Sequence, residues 1–152
     1  MTSNRISDII QLQEPYYLIN TVKQKESGMI SFENFVLTDG IPIYSAIIRH
    51  IERGAASGVI ADGDELPSRR VLSAMLGVNP NTIQKAYKIL EERELITSHG
   101  GAKSVMTLDE NKITKIRRDL IAEEAGNFIR AMDAIGLNKN EALTLLDRLW
   151  EV

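Results

Sequence analysis

The stretch of sequence that decides the fold is LPSRRVLSAMLGVNPNTIQKAYKILEERELI, residues 66–96. It predicts two short helices, and both ends of the first are marked by typical boundary residues. Ser68 is a good N-cap for the first helix, and Gly77 stands where a left-handed residue would end it. Asn79 caps the second helix, with Pro80 at its first position. Two helices joined by so tight a glycine-containing turn indicate a helix-turn-helix.

Apolar side chains recur along both helices at the spacing of one helical face. In the first helix the expected buried stripe is Val71, Leu72, Met75 and Leu76. In the second helix the inward-facing residues are Ile83, Ala86, Tyr87 and Leu90. The opposite face carries only amides and ammonium groups, namely Asn81, Gln84, Lys85 and Lys88. Such groups can bind base edges and phosphates in a major groove of DNA.

A β-hairpin is expected directly after the second helix. The sequence predicts one strand over 95–99, a tight turn at Gly100-Gly101 and a returning strand over 104–106. A helix-turn-helix followed by a hairpin is the layout of a winged helix. Lys103, at the hairpin turn, is placed to touch the sugar–phosphate backbone or the minor groove.

The regions on either side of this motif divide the chain into three parts. Residues 41–106 form the expected winged helix-turn-helix domain, which begins with an amphipathic helix over 42–53. Residues 1–40 form an N-terminal extension, with short helices on either side of Pro15 and a strand over 29–37. We expect this extension to pack on the C-terminal tail or on a dimer partner.

The sequence of the tail, residues 107–152, predicts one long amphipathic helix that ends at Gly136. A last helix follows, capped by Asn138 with Glu141 three residues on, a capping-box arrangement. Two helices cannot enclose a ligand pocket of roughly 300–1,000 Å³, but they can bury their apolar faces against a second copy. The residues expected at that dimer interface are Ile116, Leu120, Phe128, Met132, Leu143, Leu146, Leu149 and Trp150. The predicted fold class is therefore mainly α with a small β wing, a winged helix-turn-helix domain plus a C-terminal α-helical dimerisation tail.

Composition limits the classes of function. The chain has 152 residues, no cysteine, and 18 Lys plus Arg against 21 Asp plus Glu, a net charge of −3. That balance excludes a strongly basic nucleic-acid or membrane binder as a description of the whole chain, although residues 41–106 carry a net +1. Without cysteine there is no disulfide framework or thiolate zinc site. Since no signal peptide or membrane-length apolar run appears, the expectation is a soluble cytoplasmic protein with no membrane partner.

Catalytic and metal-binding patterns are weak. The two histidines, His50 and His99, have no nearby acidic cluster at ligand spacing, so no metal site is expected. The run Gly100–Ser104 lacks the first glycine and the strand–helix context of a phosphate loop. No nucleophile elbow or paired-carboxylate site accompanies the Ser, His and Asp residues. We expect no enzyme activity and no cofactor.

Several strings in the central part resemble the GntR-type bacterial transcription regulators. They are PIY at 42–44, LPSRR at 66–70, LGVNPNTIQKAY at 76–87 and the L-I-x-x-H-G step at 95–100. The resemblance covers roughly residues 41–106. The NPNT start of the second helix, with the short helical tail, is similar to the YtrA-like branch of that family.

The resemblance implies a homodimeric repressor that binds a palindromic operator in double-stranded DNA. In such proteins the residue that matches Arg70 contacts DNA. This chain departs from the family at two places: Pro80 stands where the family commonly has an arginine, and the wing sequence differs from the usual G-x-G-T-F-V. Taken with the outward face and the hairpin, the expected DNA-binding set is Ser68, Arg69, Arg70, Asn79, Asn81, Thr82, Gln84, Lys85, Lys88, His99, Gly100 and Lys103.

Two points stay open at the level of sequence. The competing function is a winged-helix module that binds a protein and has no sequence-specific DNA binding; the salt dependence of DNA binding separates the two. A small-molecule effector of unknown identity is also open, and the cleft between the extension and the tail is the only place we can suggest for it.

Overall fold

The computed structural model describes residues 28–37, 39–100 and 103–150. They belong to two compact units, one that ends at Arg117 and a second that begins at Arg118. The helices expected on either side of Pro15 lie outside the described residues.

The first unit has a helical layer and one small sheet. Its helices are α1 (Ile43–Ser57), α2 (Arg69–Leu76), α3 (Pro80–Glu92) and the beginning of α4 (Glu110–Ala134). Its strands are β1 (Glu65–Leu66), β2 (Ile96–His99) and β3 (Lys103–Met106). The strands form an antiparallel sheet in the order β1-β3-β2, in which Leu66 pairs with Ser104 and Ile96 with Met106.

The boundaries of α2 and α3 follow from local capping. Ser68 Oγ accepts a hydrogen bond from the Val71 amide at 3.2 Å, and Gly77 ends α2 with a φ of 63°. Asn79 Oδ1 accepts from the Asn81 amide at 2.8 Å, with Pro80 at the first position of α3. Caps of this kind satisfy amides that have no partner inside the helix. The predicted helix-turn-helix boundaries are confirmed.

The core of this unit forms where α3 packs on α1 and α2. Tyr87, at the centre of α3, is completely buried, and its hydroxyl donates to the Pro67 carbonyl at 2.5 Å. This bond ties the middle of α3 to the residues just before α2. The other large side chains buried in the core include Ile47, Ile51, Leu66, Leu72, Ile83, Leu90 and Met106.

The strand predicted over 29–37 is wrong. Only Met29 makes a bridge, a parallel one with Glu65, and a turn follows at Glu33-Asn34. The reason is that β1 is two residues long and so offers pairing for only a short stretch. Ile30 and Phe32 are nevertheless buried, so this part of the extension packs on the winged-helix unit.

The buried stripe predicted for α2 is half wrong. Leu72 is buried and Leu76 is half-buried, but Val71 and Met75 are exposed. Residues four apart share a helical face, so the helix offers two neighbouring apolar pairs. Packing against α3 covers the pair that contains Leu72 and leaves the other outside.

Glu94, in the turn after α3, is the one non-glycine residue with a positive φ in the described part of the chain, at 57°. An L-residue loses roughly 1–2 kcal/mol in this conformation, which glycine adopts freely. We expect Glu94→Gly to raise the free energy of unfolding by about 0.5–1 kcal/mol, after the chain entropy of glycine is subtracted. Urea titration measures this, and Glu92→Gly, still inside α3, should show the opposite sign. A loss of stability for Glu94→Gly would contradict the interpretation.

The second unit contains the rest of α4 and helix α5 (Lys139–Trp150). Gly136, with a φ of 83°, follows the end of α4. Asn138 Oδ1 accepts from the Glu141 amide at 3.1 Å, and Glu141 Oε2 accepts from the Asn138 amide at 2.9 Å. This reciprocal pair confirms the predicted capping box. Within the part of the chain that the structure describes, no helix combines the length and apolar character needed to cross a membrane.

Candidate nucleic-acid interface

The outward face of α3 presents polar side chains that have no bonding partner among the described residues. Asn81 and Gln84 are exposed, and no described residue bonds their side chains. Arg70, in the first turn of α2, is also exposed and has no ion-pair partner among the described residues. Asn79 is exposed and its side chain is occupied as the cap, while Thr82 is half-buried. The structure therefore leaves Arg70, Asn81 and Gln84 available to a ligand.

The two lysines of α3 already have neighbours. The Lys85 ammonium lies 3.8 Å from the centre of the Tyr44 ring, a cation–π contact. A hydrogen bond with Ser45, and then the Lys85 charge, lower the pKa of Tyr44. Lys88 pairs with Glu92 one turn on at 3.9 Å, an exposed contact that contributes little stability. Both ammonium groups stay at the surface, so an anion can compete for them.

Arg69 turns toward the protein. Its guanidinium carbon is 5.1 Å from the centre of the Tyr87 ring, and Nη2 is 3.6 Å from Glu91 Oε1. Its Nε is buried without a hydrogen-bond partner in the described part of the chain. Stacking on Tyr87 holds the side chain between α2 and α3, which accounts for its direction. Arg69 is therefore directed at Tyr87 and Glu91, whereas Arg70 is exposed to solvent.

A chain of polar contacts connects Arg69 to the wing. Glu91 accepts a hydrogen bond from the Ser98 hydroxyl on β2, and Ser98 Oγ lies 2.9 Å from Ser104 Oγ on β3. The network thus joins the start of α2, the end of α3 and both hairpin strands. Sequence reasoning missed it, since its members are far apart in the chain and form no spaced motif.

This network predicts different effects for two neighbouring glutamates. Glu91→Gln removes the charge that Arg69 faces, so we expect a loss of about 1 kcal/mol of stability after allowing for solvent screening. Glu92→Gln is the matched control: among the described residues Glu92 pairs only with the exposed Lys88, so its substitution should cost close to nothing. Chemical denaturation of both variants measures the difference. Equal stabilities would mean that the network contributes nothing.

The wing is only partly available to a ligand. Lys103 Nζ is 2.5 Å from Glu65 Oε1 on the neighbouring strand, so a phosphate would have to compete with this carboxylate. His99 is exposed and pairs in register with Lys103. Gly100 begins the turn with a φ of 59°, and residues 101–102 lie outside the described part.

His50 lies away from this face, in an aromatic cluster. Its ring centre is 4.8 Å from that of Phe32 and 5.6 Å from that of Phe35, and Nε2 is 2.9 Å from the Ser31 carbonyl. Through these contacts residues 31–35 of the extension pack against α1. Among the described residues there is no group of three His, Cys, Asp or Glu side chains that could hold a metal ion.

The residues expected at a dimer interface fall into three groups by exposure. Ile116, at 8% exposure, belongs to the core of the first unit and has little area left for a partner. Four side chains are half-buried, namely Leu120, Phe128, Met132 and Leu146. Three are exposed, namely Leu143, Leu149 and Trp150.

Comparison with known proteins gives a family match at this motif. The profile of the bacterial regulatory proteins of the gntR family matches residues 43–104. The HTH-type transcriptional repressor YtrA of Bacillus subtilis (strain 168) is 38% identical over 85 residues, which cover 52% of this chain and 65% of that protein. The match therefore spans slightly less than two thirds of that relative.

Solved structures agree with the sequence comparison. A GntR family transcriptional regulator from Listeria monocytogenes has 35% identity and a TM-score of 0.64, over 74% of this chain and 98% of its own. A transcriptional regulator from Oenococcus oeni shares the fold, with 23% identity and a TM-score of 0.57 over 78% and 99% of the two chains. These structures confirm the mainly α fold class with a small wing. The chain belongs to the gntR family of bacterial regulatory proteins.

Proposed function

We propose that this protein is a homodimeric repressor that places α3 of each protomer in a major groove of a palindromic operator. The observation that carries the proposal is a group of exposed side chains on one helix-turn-helix that have no partner in the described part of the chain, Arg70, Asn81 and Gln84. The side-chain amide of Asn or Gln can form two hydrogen bonds with the edge of one base. An arginine can bind a phosphate or a guanine. The name of the relative YtrA, a transcriptional repressor, supports repression.

The second unit supports the dimer. Its exposed large apolar side chains include Ile121, Ile129, Ile135, Leu143, Leu149 and Trp150. Trp150 alone is 83% exposed. A monomer seldom leaves so many large apolar groups in water, and a second copy would bury them in a symmetric interface. A dimer places two α3 helices on half-sites about 10 bp apart, or a multiple of that.

The experiment is selection of bound duplexes from a random DNA pool, followed by titration of the winner's affinity across salt concentrations. We expect a palindrome, and a log–log salt slope of about −0.9 for each phosphate that the protein neutralises. No enrichment at low salt would overturn the proposal. In that case a winged-helix module that binds a protein would be the better interpretation.

Single substitutions should distinguish residues that bind the DNA backbone from residues that recognise a base. Arg70→Ala is expected to weaken binding to every sequence and to flatten the salt slope by about one unit. Gln84→Ala should instead relax the preference at one base pair of each half-site, by roughly 1–3 kcal/mol. Titration against the operator and its single-base variants measures both effects. An equal loss on every duplex for Gln84→Ala would contradict a role in base reading.

A further inference from the structure

A groove of about 500 Å³ lies next to the proposed DNA interface, between the extension, β1 and α2. Its lining is largely apolar and includes Phe32 and Leu66 at its base. Three large side chains at its edges face solvent, Met29 at 63%, Val71 at 50% and Met75 at 56% exposure. An exposed apolar patch of this kind on a small protein marks an interaction site.

The place of the groove in the chain suggests what fills it. One wall, residues 29–33, follows directly after Gly28, whose amide is held by Asp64 Oδ1 at 2.8 Å. The sequence before Gly28 contains the mostly apolar stretch YYLINTV at 16–22 and then the polar run KQKES at 23–27. Five extended residues, such as 23–27, span at most about 17 Å. Residues 16–22 can therefore reach back along the groove.

We propose that residues 16–22 dock in this groove of their own chain and oppose DNA binding. The opposing effect rests on the proposed function, while the docking itself does not. Ser68 and Lys103, both candidate DNA contacts, line the groove, so an occupant would lie against them.

The same chain is a better source of the segment than a second copy. A short linker gives an attached segment an effective concentration in the millimolar range. Free chains reach that level only in very concentrated solution. Docking would also remove the exposed Met29, Val71 and Met75 side chains from water, which is favourable.

Docking is tested by chemical cross-linking without DNA. Because the chain has no cysteine, the pair Ile19→Cys and Met75→Cys can be joined by a short bis-maleimide reagent with no background. We expect an intramolecular cross-link at monomer mass on a denaturing gel. The matched control replaces Met75→Cys with Ala74→Cys, at an exposed α2 position that does not line the groove, and should react less. A cross-link only between two chains, or none, would overturn the docking proposal.

The opposing effect is tested by operator affinity. A segment that covers the groove for nine tenths of the time lowers the apparent affinity about tenfold, so deletion of 1–22 should raise it by up to that factor. Met75→Ser, which keeps the whole chain and adds no charge, should raise it in the same direction, whereas Ala74→Ser should not. A cross-link with unchanged affinities would overturn the regulatory part. If no variant binds DNA, the proposed function fails instead, and the cross-link still decides docking.

Discussion

A chain that ends at Asp119 is expected to fold, to stay monomeric and to bind a full palindrome about 10²–10⁴-fold more weakly than the whole chain. The loss arises because two linked helix-turn-helix units bind the second half-site as an intramolecular event. Cutting there keeps the whole first unit, which ends at Arg117. A cut directly after the hairpin would remove Lys112, whose ammonium donates to the Glu94 and Thr107 carbonyls at 2.6 and 3.0 Å, together with the buried Ile116.

Three measurements check this prediction. Sedimentation gives the mass, thermal melting shows that the shortened chain is folded, and titration compares the two chains on a palindrome. A duplex with one half-site is the control, because both chains should bind it with similar affinity. A shortened chain that still dimerises, or one that keeps full affinity for the palindrome, would show that the second unit is not the dimerisation element.

The features that could be predicted from sequence are those fixed by neighbours in the chain. The ends of α2 and α3 depend on Ser68, Gly77 and Asn79, each of which satisfies backbone groups within a few residues. The capping box of α5 has the same local character. The outward face of α3 was also predictable, because an amphipathic helix of that length has one inward face.

The features that could not be predicted from sequence depend on contacts between residues that are far apart in the chain. Arg69 turns inward because its guanidinium stacks on Tyr87 and pairs with Glu91, both on the next helix. Lys103 is partly occupied because the two-residue strand β1 brings Glu65 beside it. Periodicity alone could not decide which apolar pair of α2 is buried, since the answer depends on where α3 packs. The contacts that the sequence did not predict involve cations and apolar groups at the edges of the candidate site, whereas Asn81 and Gln84 are exposed as predicted.

Tyr87→Phe is expected to lower the free energy of unfolding by roughly 1–3 kcal/mol, because it leaves the buried Pro67 carbonyl without its donor. The loss amounts to a fall in Tm of several degrees for a unit of this size. Tyr87 is buried and its hydroxyl donates to this carbonyl at 2.5 Å, and no second donor to it is found among the described residues. Thermal and urea unfolding of the two proteins at neutral pH measure the difference.

The same substitution should also change the response to alkaline pH. Burial raises the pKa of Tyr87 above its ordinary value, with the Arg69 charge opposing the rise. The neutral phenol therefore stabilises the fold fully below about pH 10, the unfolded-state pKa, and this contribution is lost as pH rises toward the folded-state pKa. Tyr87→Phe has no such group, so its disadvantage should shrink above pH 10. Tyr44→Phe is the control, because Tyr44 is accessible and its pKa is lowered, so it should not reduce the alkaline loss. An equal alkaline loss in Tyr87→Phe and the parent chain would mean that another group causes it.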